Sequence, residues 1–230
     1  TESQYGASRQ VHANAREVVG KVGVKHIDSK AVDAFFKEIM GIALATPAGL
    51  CGFGGGRPKP SPVVRLFSCT LPKNALNVAI DLGSGPQQVS VIEGQKFDAN
   101  ALARPADPAT LPDDAGFAPL IKLAWGRSGD KGDKANIGII ARKPDYLPYI
   151  AAALTADAVD ARFAHFLEGD GQRVERFIMP GMNAINFLLH DVLGGGGVAS
   201  LRNDPQAKSY AQILLDFPIP VPAKLAEQLS

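Results

Sequence analysis

Residues 126–138 read GRSGDKGDKANIG, with the apolar PLIKLAW before them and IGIIAR after them. Four glycines, two acids and three bases stand between two segments of strand character. Glycines can take positive φ, so consecutive N–H groups can line one concave nest for an anion. Arg127, Lys131 and Lys134 add positive charge, and such donors suit a phosphate or a carboxylate. Asp130 and Asp133 either orient these bases or move a proton. Asn136 donates to a carbonyl or fixes the loop. The same residues also read as a solvated hairpin loop whose charges pair with one another. The GxxxxGK[ST] spacing of a phosphate-binding loop is absent. A strand rather than a helix follows, which excludes a dinucleotide fingerprint.

Working outward, the flanks predict an α+β pattern. Expected strands are 118–125 and 135–142, followed by helices over 144–154 and 155–167, the second capped by Thr155. A strand is expected over 173–180 and a helix over 182–193, with Ile185, Leu188, Leu189 and Val192 inward. Glycines 194–197 form a loop leading to a turn. A further helix over 204–218 is expected, with Asp204 as cap and Pro205 at its first position, and then an extended tail. Toward the start, valines alternate over 16–27 as in a strand. A helix follows from Asp28 or Ser29 and ends before Pro47. Strands are expected over 63–72, 74–82 and 89–94. This β-α-β unit would occupy 1–93. A linker rich in Ala, Pro and Asp would cover 94–117, and the second unit 118–230. The expected fold is thus two small α/β-sandwich units.

Composition narrows the function. The net charge is +1, which provides no field to hold a polyanion, so no nucleic-acid partner is expected. No apolar run reaches the length of a membrane span, and the N-terminus lacks the apolar core of a signal peptide. The two cysteines, Cys51 and Cys69, do not make a disulfide framework, so the cytoplasm is the expected setting. The four histidines show no metal-ligand spacing, so no metal is expected. His165 and His190 are read as lying on helices at the edge of a core. A catalytic Cys–His pair has no motif to support it. Gly54-Gly55-Gly56-Arg57 reads first as a linker. The tetraglycine run is either a flexible connector or a place where backbone approaches a ligand. Asn183 is read as a helix cap or as a residue facing a ligand.

Two longer stretches, GRSGDKGDKANIGIIAR and FIMPGMNAINFLLHDVLGGGGVASLRNDPQAKSYAQILLDFPIPVP, resemble in order and combination the C-terminal region of the acyclic terpene utilisation protein A family. TPAGLCGFGGGRPKPSPVVRLFSCTLPK resembles the end of that family's large N-terminal domain. Trp125 and Ala207 depart from the family's pattern. The resemblance implies a ferredoxin-like arrangement for the C-terminal unit. It also implies that the chain, which opens on Thr1, is a C-terminal portion partnered by the missing N-terminal portion. The implied setting is breakdown of citronellol- and geraniol-type terpenes through acyl-CoA thioesters.

The expected function is therefore part of an enzyme acting on a branched acyl-CoA or a carboxylate, by a hydratase or lyase step. Asp130 and Lys131 are the expected catalytic residues. The expected binding residues are Arg127, Ser128, Gly129, Gly132, Lys134, Asn136, Asn183, Gly195, Gly196 and Arg202. No cofactor is required, and coenzyme A enters as part of the substrate. A homo-oligomer is expected. The alternative is a non-catalytic assembly domain that supports a larger catalytic domain.

Overall fold

The computed structural model describes residues 16–46, 48–52, 56–90, 94, 96–167, 171 and 173–230. By its contacts the chain divides into two units, Thr1–Arg65 with Asp107–Ser230, and Leu66–Ala106. Among the described residues, every buried apolar one lies between Ala118 and Val221.

Before that stretch, regular structure is sparse. Helix α1 spans Ser29–Leu44, and the Asp28 carboxylate accepts from the Lys30 N–H at its start, as an N-cap should. The strands expected over 16–27 and 63–72 do not form. A strand requires a ladder partner, and alternation of valines alone does not supply one. The strand expected over 74–82 reduces to β1, Ala79–Ile80, paired with β2, Gln87–Gln88. The Asp81 carboxylate braces the turn between them by accepting from Gly83 and Gly85. Val91, Ile92 and Glu93, within the strand expected over 89–94, lie outside the described residues, as do Pro47, Gly54 and Gly55.

From Ala115 the chain folds densely. Strand β3 (Ala115–Pro119) leads into a single helical turn, α2 (Leu120–Leu123), and then into β4 (Ala124–Lys131) and β5 (Lys134–Ala141). One strand over 118–125 was expected. Instead Leu120 and Leu123 both bury on the inner side of the helical turn. Helices α3 (Leu147–Ala153) and α4 (Ala156–Phe163) follow, with the Thr155 hydroxyl capping α4 at Ala158. Next come β6 (Val174–Met179), β7 (Ala184–Leu189), α5 (Tyr210–Leu215), β8 (Pro218–Pro222) and α6 (Ala223–Leu229). The main sheet has the order β4-β5-β7-β6 with every pairing antiparallel, and β3 pairs with β8 in a separate ribbon. The architecture is α+β.

The helix expected over 182–193 is strand β7. Short apolar runs fit both periods, and pairing with β5 and β6 decides between them. Ile185, Phe187 and Leu189 then point inward in register with Ile139, Ile137 and Ala135. Across this inner face α4 packs on β6, and α5 packs on β4 and β5. Tyr210 stacks between Phe163 and Phe166, with ring centroids at 5.5 and 5.1 Å, and its hydroxyl donates to the Val192 carbonyl. The helix expected over 204–218 is confined to α5. The Asp204 carboxylate accepts from the N–H and hydroxyl of Ser209, and Ala207 has φ 53°, which no helix continues through.

Residues 107–114 belong with this unit. Arg176 of β6 donates two hydrogen bonds to the Asp107 carboxylate, at 2.6 and 3.3 Å, and Thr110 N–H donates to Pro148. The Arg176 hydrogen bond holds the Asp107 carboxyl below its ordinary range. Among the described residues no helix is long and apolar enough to cross a membrane.

Candidate functional site

The stretch 126–138 is itself a β-hairpin. Lys131 pairs with Lys134, so the connection is only Gly132-Asp133, with Gly132 at φ 69°, the two-residue turn that places glycine first. This corrects the loop expectation. Strand N–H groups alternate in direction along the chain, so the amides of 126–131 and 134–138 do not converge on one anion.

A set of converging amides does exist nearby, and Asp133 occupies it. Its carboxylate accepts from Gly195 N–H at 2.9 Å and Gly196 N–H at 3.0 Å. Its carbonyl accepts from Val192 and Leu193. Gly194, Gly195 and Gly196 all have positive φ, 65°, 99° and 89°, a run that side chains resist. The tetraglycine segment is thus docked on the hairpin tip. Its Gly195 and Gly196 amides are used internally.

Alternation on each strand sorts the remaining expected residues. Ser128 and Asp130 face the helical layer, opposite Ile137 and Ala135. Ser128 is 8% exposed; its hydroxyl donates to the Ala207 carbonyl and accepts from the Ala211 N–H. It caps α5 from a neighbouring strand. Asp130 lies 3.6 Å from the Lys208 ammonium. Asn183 sits in the turn between β6 and β7 with φ 51°, and its carbonyl accepts from Ala141 N–H. It caps no helix, and it lies at the end of the sheet away from Asp133. Arg202 donates to the Phe166 carbonyl and lies over the Phe166 ring on the helical side.

Arg127, Gly129, Lys131, Lys134 and Asn136 share the opposite, outer face of the sheet. Gly129 is buried, and a Cβ there would lie 3.4 Å from the Lys208 ammonium; Arg127, Lys131 and Lys134 are exposed and Asn136 is half-buried. The outer face reads as four cross-strand rows. Lys134 stands one step beyond the Ala135–Leu189 pair, level with His190. Next come Gly129, Asn136, Leu188 and Glu175; then Arg127, Gly138, Asn186 and Phe177; then Trp125, Ile140, Ala184 and Met179. Rows are about 7 Å apart and columns about 4.8 Å. The face is graded. Cations and polar groups hold the hairpin end. Trp125, Ile140, Phe177 and Met179, exposed by 54, 40, 41 and 39%, hold the other. The Arg142 guanidinium lies 4.7 Å from the Trp125 ring centre. The Asn136 amide donates to Asn186 Oδ1 at 3.3 Å. A Cβ at Gly138 would meet nothing closer than 3.9 Å, so the middle of the bed is bare. Among the described residues no carboxylate lies within ion-pair distance of Arg127 or Lys134.

The sequence reading missed His190 and Glu175. His190 Nε2 lies 2.6 Å from Glu175 Oε1. Had the NAINFLL run been read as the second arm of a hairpin after VERFIM, with PGMN as its turn, both would have fallen on the outer face. Among the described residues no group of three His, Cys, Asp or Glu is gathered for a metal ion.

Residues 118–220 match the family model of the AtuA ferredoxin-like domain. No curated protein and no solved structure matches the chain.

Proposed function

We propose, from the premise that residues 118–220 are an AtuA ferredoxin-like domain, that its open sheet face binds a branched acyl-CoA or the related carboxylate in acyclic terpene catabolism. The observation that carries this reading is the grading of the face. Four expected site residues, Arg127, Lys131, Lys134 and Asn136, project there, and an apolar row adjoins them. The anionic part would lie against Arg127, Lys131 and Lys134. The chain would cross the bare floor at Gly138 toward Trp125, Ile140, Phe177 and Met179. Asp130, turned to the inner face beside Lys208, is given no part in proton transfer. A hydratase or lyase step is the chemistry proposed for the bound acyl group.

Magnitudes limit what the face does alone. Exposed ion pairs contribute about 0.2–1 kcal/mol each. Covering about 150 Å² of apolar surface adds roughly 4 kcal/mol, set against an association cost of similar size. Binding by this face alone should therefore be weak, millimolar at best, and salt-sensitive. A second polypeptide covering the face would tighten it. This favours a second reading, an assembly role in a homo-oligomer, which the internal use of the Gly195 and Gly196 amides also supports.

Trp125 is the sole tryptophan, so its fluorescence reports on this face directly. Titration with a 3-methyl-branched acyl-CoA should change the emission saturably, and Arg127→Ala with Lys134→Ala should weaken the response about tenfold. A flat titration, together with a concentration-dependent change in mass by light scattering, would favour assembly.

A further inference from the structure

We propose that His190 and Glu175 form an acid–base pair serving the open face, with His190 the general base and Glu175 its positioning residue. The inference rests on the acyl-binding reading and goes beyond it, because it assigns the proton transfer to residues that do not belong to the glycine-rich hairpin. His190 follows β7 directly, and its N–H donates to the Arg173 carbonyl, so its backbone is held by the neighbouring strand. Its ring is held by Glu175 Oε1 at 2.6 Å from Nε2. A carboxylate on one ring nitrogen keeps the proton there and leaves the other nitrogen as acceptor. Nδ1 takes no bond from a described residue. The pair is partly shielded, with side chains 24% and 40% exposed. Lys134 stands level with His190 across the strand gap, and Asn136 lies one row further in.

The chemistry this arrangement supports is addition of water across a double bond conjugated to a thioester. His190 Nδ1 takes a proton from water as the water oxygen bonds to the β-carbon. The π electrons move toward the thioester carbonyl, whose developing negative oxygen lies against the Lys134 ammonium and the Asn136 amide. The proton then passes from Nδ1 to the α-carbon, and His190 returns to its neutral form. One water is consumed, and no electron donor or acceptor is required. The ligand class is a 2-enoyl thioester with an apolar branched chain.

The test uses the full chain with a 3-methyl-branched 2-enoyl-CoA and two readouts, Trp125 emission for binding and loss of the enoyl absorbance for hydration. His190→Gln should leave the Trp125 midpoint within about threefold and lower turnover at least about 100-fold. Glu175→Gln should lower kcat about tenfold with KM unchanged, a split that a purely structural ion pair would not give. If the wild-type chain binds but does not hydrate, or if His190→Gln turns over as fast as wild type, the pair has no such role. A silent Trp125 in the wild type instead removes the acyl-binding reading. Turnover with a silent Trp125 places the reaction elsewhere and overturns both.

Discussion

Residues 16–117 and residues 118–221 make an instructive pair. Both are rich in valine, leucine and phenylalanine. In the second, apolar side chains alternate along strands that have partners, and they bury. In the first, Val18, Val63, Val64, Leu66, Phe67 and Leu71 stay exposed, and no described residue is buried. An apolar side chain contributes roughly 1.5–3 kcal/mol only once it leaves water. The contrast shows that hydrophobic content does not make a core; a partner surface does.

Limited proteolysis should break or sharpen this comparison most visibly. Cleavage should fall first within 16–106 and leave a resistant fragment beginning near Asp107. Protection of 16–106 in the full chain would mean that its apolar residues are covered in solution. Single substitutions follow the same line. Phe187→Ala should lower unfolding stability by about 3–5 kcal/mol in urea, whereas Phe67→Ala, at a residue 86% exposed, should change it by less than about 0.5 kcal/mol.

Within the folded half, Asp133→Ala should cost about 2–3 kcal/mol, because it removes a charged acceptor from two amides and frees the tetraglycine segment. Faster hydrogen exchange at Gly195 and Gly196 would locate the loss. Ser128→Ala should cost about 1–2 kcal/mol, since the α5 N-terminus loses its cap from β4. The smallest effect belongs to the junction. The Asp107 carboxyl is held below its ordinary value of 3.8 by Arg176. A carboxyl lowered on folding contributes stability above its unfolded value and loses it as pH falls through the folded one. The contribution should therefore be whole at pH 5 and fade below about pH 3.8. Asp107→Asn should erase that pH dependence, as followed by thermal melting across pH 2–6. Asp107 is half exposed, so the change should stay under about 1 kcal/mol.

Local elements in both halves were legible in the sequence. The Asp28 and Thr155 caps mark the starts of α1 and α4, and the alternation in ANIGIIA marks β5. NAINFLL misled because its apolar positions satisfy a helical period as well as a strand period. The expected site residues fared according to how local their role is. Arg127, Lys134 and Asn136 reach a common surface because strand parity puts them there. Ser128, Asn183 and Arg202 do not, because each is engaged by a segment distant in the chain.

By itself the sequence determined local matters: the α+β mix of elements, the helix starts at Asp28 and Thr155, and the placing of charge around Gly132. These depend on neighbours a few residues apart, where backbone sterics and side-chain capping act. Only the tertiary structure decided which strands found partners, that Asp133 takes the Gly195 and Gly196 amides, and that His190 meets Glu175 beside the outer sheet face. Those outcomes depend on strand register between residues far apart in the chain. A shift of one residue there exchanges the two faces of the sheet.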